Sequence, residues 1–175
     1  MKLLQQLCAI HAPSGNETQM TEFLLQFIYD EKQTWKVQPE IYHGKGFQNC
    51  ILLVFGKPRT AVYAHIDNIG FTVRYNNQLV KIGGPKTETG YFLTGSDSEG
   101  EITCCLITDE ETHQLSCDYE RLIDRGTDLS FKANFREDEN FVQSCYLDNR
   151  LGVWVALQLC KTLENGAICF SCWEE

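Results

Sequence analysis

Two apolar runs, "CILLVFG" at 50–56 and "TAVYAHI" at 60–66, are separated by three residues and carry almost no polar side chains. A strand with one wet face alternates polar and apolar residues, whereas near-continuous β-branched and aromatic runs belong to strands covered on both faces. Both runs therefore predict central strands of a sheet that needs helices packed against it. Helices are available. Residues 2–10 place Leu3, Leu4 and Leu7 on one face, and Pro13 disfavours continuation of the helix at Ala12. Ser14 and Glu17 have the S-x-x-E spacing of a capping box, after which Met20, Phe23, Leu24, Phe27 and Ile28 recur at helical intervals.

The period changes further on. "WKVQPEIY" and "IGFTVRY" read as strands, and from about residue 76 to residue 140 the chain consists of short β-like pieces punctuated by glycine and acidic turns. "LDNRLGVWVALQLCKTLENG" then resumes the helical period with Leu151, Val155 and Leu159 in line and Gly166 placed to end the helix. A last apolar run, Ala167 to Trp173, reads as a buried strand stopping on Glu174 and Glu175. Helices alternate with apolar strands on either side of the middle stretch. The expected architecture is an α/β domain of residues 1–75 and 141–175 with a mainly parallel sheet, interrupted by a small all-β, barrel-like domain at 76–140.

Composition removes several classes of function. A formal charge of −9, with lysines and arginines scattered singly, argues against a nucleic-acid partner. No run of 18 apolar residues exists, and "MKLLQQLCAIHAP" is too short and too polar for a secretory segment, so a cytoplasmic setting without membrane contact is expected. The nine cysteines are odd in number and irregularly spaced, which reads as reduced core residues. The one C-x-x-C, Cys169 to Cys172, lies within the predicted last strand, where residues three apart face opposite ways and cannot share a metal.

The residues fit for chemistry gather at strand exits. His65 and Asp67 end "AVYAHID", Asp148 precedes the helix that starts near Asn149, and Glu174 and Glu175 end "AICFSCW". In open α/β sheets the carboxyl ends of strands are where ligands bind, and His, Asp and Glu are a ligand set for divalent metals. Each residue also has a plainer reading: a packed histidine, a helix N-cap, solvated carboxylates. The H-x-D spacing has a physical use, since Asp67 stands on the same side as His65 and can take the spare imidazole N–H, fixing the tautomer that binds metal.

"APSGNE" near the start, "AHIDNIGF" at 64–71, "LDNRLGV" at 147–153 and "WEE" at 173–175 resemble, in order and spacing, the successive motifs of the M42 family of metallo-aminopeptidases. The resemblance implies an aminopeptidase that removes the first residue of peptides with a free N-terminus. It also implies two divalent ions, zinc or cobalt: His65 binds one, Asp148 bridges both, Glu175 binds the other, Glu174 is the general base and Asp67 supports His65. The chemistry suits these types, because paired ions that share a water lower its pKa and polarise the scissile carbonyl while a carboxylate moves its proton. Family members often assemble as homo-oligomers.

Asn68 stands where the family has Glu. The family also uses a further Asp and His downstream of the double glutamate. Three protein ligands cannot close two metal sites, so these 175 residues are expected to be the front part of a longer protein, binding metal weakly and inactive alone. Related M28 and M20 hydrolases, with deacylase or dipeptidase chemistry, use similar ligands on the same core. An inserted β-barrel favours M42 and an α+β dimerisation insert favours M20. A non-catalytic relative serving as an assembly scaffold is the reading outside the enzymes.

Overall fold

The computed structural model describes residues 1–175, which divide into two compact units, residues 1–67 with 146–174 and residues 68–145 with Glu175. The first unit opens with α1 (Lys2–Ala9), α2 (Thr18–Glu31), β1 (Glu40–Tyr42), β2 (Ile51–Phe55) and β3 (Ala61–His65). The second contains β4 (Gly70–Val73), β5 (Gln78–Ile82), β6 (Phe92–Asp97), β7 (Gly100–Thr108), β8 (Leu115–Asp118), β9 (Asp128–Phe131) and the small hairpin β10 (Arg136–Glu137) and β11 (Val142–Gln143). The chain then returns to the first unit with α3 (Leu147–Cys160) and β12 (Gly166–Ser171). β4 pairs with β5 and β9 and buries Phe71 and Val73 in the core of the second unit, which therefore begins at Asn68.

The sheet of the first unit runs β1-β2-β12-β3 and is mixed, not mainly parallel. β12 is antiparallel to β2 and parallel to β3, while β1 and β2 are antiparallel. Residues 43–50 join β1 to β2 directly, which suits antiparallel neighbours, and the parallel pair β3 and β12 has the long crossover that it needs, through α3. The core gathers Leu24 and Ile28 of α2, Leu53 and Phe55 of β2, Leu157 of α3 and Phe170 of β12.

Three local expectations are corrected. β3 is an edge strand rather than a central one, and Ala61, Val62 and Tyr63 are exposed despite their apolar character. α3 buries Val153, Ala156, Leu157 and Cys160, leaving Leu151, Val155 and Leu159 on its exposed side. The capping box does not form: α2 starts at Thr18 with no side-chain cap. Gly15 turns the chain at φ +93°, and the buried Glu17 carboxylate reaches back to accept the Gly15 N–H at 2.7 Å. The carboxylate thus serves the turn before the helix instead of the helix itself.

The second unit is a closed barrel in the order β4-β5-β8-β7-β6-β9, sealed where β9 pairs with both β4 and β6. Phe71, Leu93, Ile102, Leu106 and Leu129 fill it. Gly95 marks a close approach between strands, since a Cβ there would lie 2.4 Å from the Asp128 carbonyl oxygen. None of the nine cysteines is in a disulfide, and Cys172 lies beyond the end of β12 rather than within a strand. No helix is long and apolar enough to cross a membrane.

Candidate metal centre

β3 and β12 run parallel and end side by side, and the pairing continues past the ladder as the Ile66 N–H donates to the Ser171 carbonyl at 2.8 Å. This brings residues 65–67 alongside the segment that follows Ser171. Asp67, fully buried, accepts the backbone N–H of Glu174 on Oδ2 at 3.0 Å. The first of the two terminal glutamates is therefore fixed through its backbone, while its side chain stays 61% exposed.

His65, nearly buried at the end of β3, is engaged on both ring nitrogens. Nδ1 lies 3.4 Å from Asp67 Oδ1, and Nε2 lies 3.2 Å from Asp148 Oδ1 and 3.6 Å from Glu174 Oε2. Asp148 arrives from the irregular start of α3. It and Asn149 lie outside helical φ/ψ, the peptide between them is cis, and the N-cap position is held by Tyr146 with no side-chain cap. Asp148 is thus not an N-cap; its carboxylate, 91% exposed, projects beside the imidazole. His65, Glu174 and Glu175 each present a ligand atom within 4.8 Å of the others. Asn68 has turned elsewhere, its amide donating to the Ile69 carbonyl at 2.8 Å and to Ser130 Oγ at 3.4 Å.

Two residues inside the "LDNRLGV" motif had drawn no role from sequence. Arg150 is wholly buried and donates from Nη1 to the Ile66 carbonyl. Gly152 leaves space for Asn149, whose Oδ1 would stand 1.8 Å from a Cβ at that position. The available signal was the spacing of Arg150 to Val153 and Leu157, which puts it on their face of the helix.

The electrostatics follow from the geometry. The Asp67 carboxylate at Nδ1 raises the His65 pKa to about 9, with Asp148 and Glu174 adding to the rise and burial opposing it. The folded value lies above the usual 6.5, so the protonated ring stabilises the metal-free chain fully below about pH 6.5, and that stability is lost as pH rises through 9. The melting temperature of the metal-free wild type is expected to fall across this window, relative to His65→Gln measured in parallel. Identical profiles would show that the imidazolium is not held by its carboxylates.

The same donors suit a divalent cation. A borderline nitrogen donor and hard carboxylate oxygens converge, and the ring nitrogen turned away from them faces the buried Asp67 carboxylate, which favours the tautomer that leaves Nε2 free to bind. His65, Glu174, Glu175 and Asp148 are the side chains able to contribute, with Asp67 behind His65.

No family model matches the sequence, and no curated protein matches it. Solved structures do match. The aminopeptidase APDkam598 from the archaeon Desulfurococcus kamchatkensis superposes with a TM-score of 0.80 at 17% identity, covering 99% of this chain and 55% of that one. The Pyrococcus horikoshii TET1 peptidase matches with a TM-score of 0.73 at 19% identity, over 97% of this chain and 59% of that one. This chain has the fold of the TET aminopeptidases. It spans little more than half the length of the structures it matches. A Thermotoga maritima protein described as an endoglucanase matches as well, with a TM-score of 0.73 at 16% identity, over 98% of this chain and 59% of that one. The shared fold thus leaves open which bond is cut, and the chemistry of the site has to decide it.

Proposed function

We propose that this chain carries the front half of the active site of an M42-type metallo-aminopeptidase. The supporting observation is the imidazole of His65, oriented by Asp67 on Nδ1 and faced on Nε2 by Asp148 and Glu174. His65 and Glu175 would hold different ions of a zinc or cobalt pair and Asp148 would contribute to both, with further ligands supplied by the rest of a protein as long as the structures it matches. When bound, such ions polarise a scissile carbonyl and acidify water near it.

The protein groups divide the remaining work. Asp67 holds the His65 ring and the Glu174 backbone together, so the two residues keep their spacing while the exposed Glu174 side chain can pivot. Glu174, bound to no metal in this reading, takes a proton from the attacking water and passes it to the leaving amine. Several carboxylates gathered around His65 favour a substrate with a positive end, which a peptide with a free N-terminus has. The closed barrel inserted between the ligand segments supports M42 over M20 chemistry. Nine cysteines without a disulfide fit a reducing, cytoplasmic setting. The Pyrococcus horikoshii TET1 peptidase is described as assembling into a tetrahedron or a large octahedral shell, and a homo-oligomer is the corresponding proposal here.

The test is calorimetric titration of the chain with zinc and with cobalt, followed by assay of aminoacyl substrates on a form of the protein long enough to supply the remaining ligands. The 175-residue chain is expected to take up metal weakly but stoichiometrically, with affinity rising about tenfold per pH unit below 9 because His65 must lose its proton. The longer form is expected to release N-terminal residues. No stoichiometric uptake by either form would favour the scaffold reading, and metal uptake with hydrolysis of N-acyl but not aminoacyl substrates would favour a deacylase.

A further inference from the structure

Arg150 is the largest wholly buried side chain in the molecule, and it is a cation carried near the start of α3. A guanidinium removed from water is unfavourable unless its donors are used, and one of them is used at a telling place. Nη1 donates to the carbonyl of Ile66, the residue between His65 and Asp67. The N–H of the same Ile66 donates to Ser171 at the end of β12. The Ile66 backbone is thereby held from both sides, by the helix that brings Asp148 and by the strand that leads to Glu174. Arg150 is itself fixed at the start of α3, where its N–H donates to the Tyr146 carbonyl at 3.1 Å.

We infer that Arg150 is a positioning residue for the metal centre, clamping the β3 exit to the start of α3 so that His65 and Asp67 meet Asp148 and Glu174 at the observed spacing. The inference rests on the metal-binding reading above. Two short distances depend on the clamp: 3.2 Å from His65 Nε2 to Asp148 Oδ1, and 3.0 Å from the Glu174 N–H to Asp67 Oδ2. Neither is made by Arg150, so a residue that merely fills space would leave both intact when replaced by an apolar side chain of similar length. A residue that sets the strand exit would not.

The experiment compares wild type, Arg150→Met and Arg150→Lys by amide hydrogen exchange and by cobalt titration followed through the visible absorption of the bound ion. In Arg150→Met, exchange at the amides of Ile66 and Glu174 is expected to rise at least about tenfold more than at Leu24 or Leu53, and cobalt affinity to fall about 10- to 100-fold with a changed visible spectrum. Arg150→Lys, which keeps the charge and a donor, is expected to recover part of both. Uniform acceleration of exchange, wild-type cobalt affinity in Arg150→Met, or a lysine variant no better than methionine would overturn the assignment. Should Arg150→Met fail to fold, Arg150→Lys decides: cobalt affinity reduced severalfold at an unchanged melting temperature supports the clamp, and wild-type affinity overturns it. If wild type takes up no cobalt, the metallopeptidase reading fails and the exchange measurements still judge the clamp.

Discussion

Replacing His65 with alanine is expected to abolish measurable uptake of zinc and cobalt, a loss of at least about 100-fold in affinity. His65 provides the one nitrogen donor of the cluster, and the oxygen donors around it are exposed or half-buried carboxylates that bind divalent ions poorly by themselves. The substitution also removes the ring that Asp67 orients, so the effect exceeds that of losing one contact. His65→Gln separates these contributions. An amide can still engage Asp67 but offers no imidazole nitrogen, so it should restore part of the melting temperature lost in His65→Ala without restoring affinity. Titration calorimetry of the three proteins at one pH checks this, and wild-type affinity in His65→Ala would place the metal elsewhere.

The second large effect is expected at Glu174. In a form of the protein long enough to hydrolyse substrate, Glu174→Gln should lower kcat by about 10²–10⁴-fold, because the amide cannot take up a proton, while KM changes little. Cobalt affinity should stay within about threefold of wild type, since the proposed role is proton transfer rather than ligation. The alternative is concrete: Glu174 lies 3.6 Å from His65 Nε2 and belongs to the group of possible ligands, so a parallel collapse of affinity and rate would assign it to the metal instead. Unchanged kcat would remove it from the reaction.

What was legible in the sequence was which side chains gather at the strand ends more than the sheet between them. The two-residue step from His65 to Asp67 implied a shared side, and the structure places Asp67 against Nδ1 as that step requires. "WEE" read as a strand exit, and β12 indeed ends at Ser171, with Trp173 at φ +65° turning the chain before Glu174. The direction of the strands was not legible, because it depends on which segments become neighbours: β12 enters between β2 and β3, which are consecutive in sequence but not adjacent in space. The apolarity of "TAVYAHI" misled for a related reason, since side-chain type reports a tendency to be covered and not whether anything in the chain covers it. The stripe Leu151, Val155 and Leu159 misled in the same way, one helix carrying two apolar faces of which only the other is packed. Arg150 was hidden because the one local hint, its spacing to Val153 and Leu157, gains meaning only once that face of α3 is known to be packed.

The two edges of the four-stranded sheet have unequal colloidal consequences. β1 is three residues long and begins with Glu40, a short charged border that discourages another strand from pairing. β3 is longer, presents Val62 and a Tyr63 that is 69% exposed, and has an open row of backbone donors and acceptors. Lys57, Pro58 and Arg59 stand just before it, residue types that act as gatekeepers against strand addition. The barrel, having closed on itself, presents no such border. Shelf life and crystallisability of this chain will therefore be governed by a few residues along β3, and charge placed there is the most direct way to keep concentrated solutions clear.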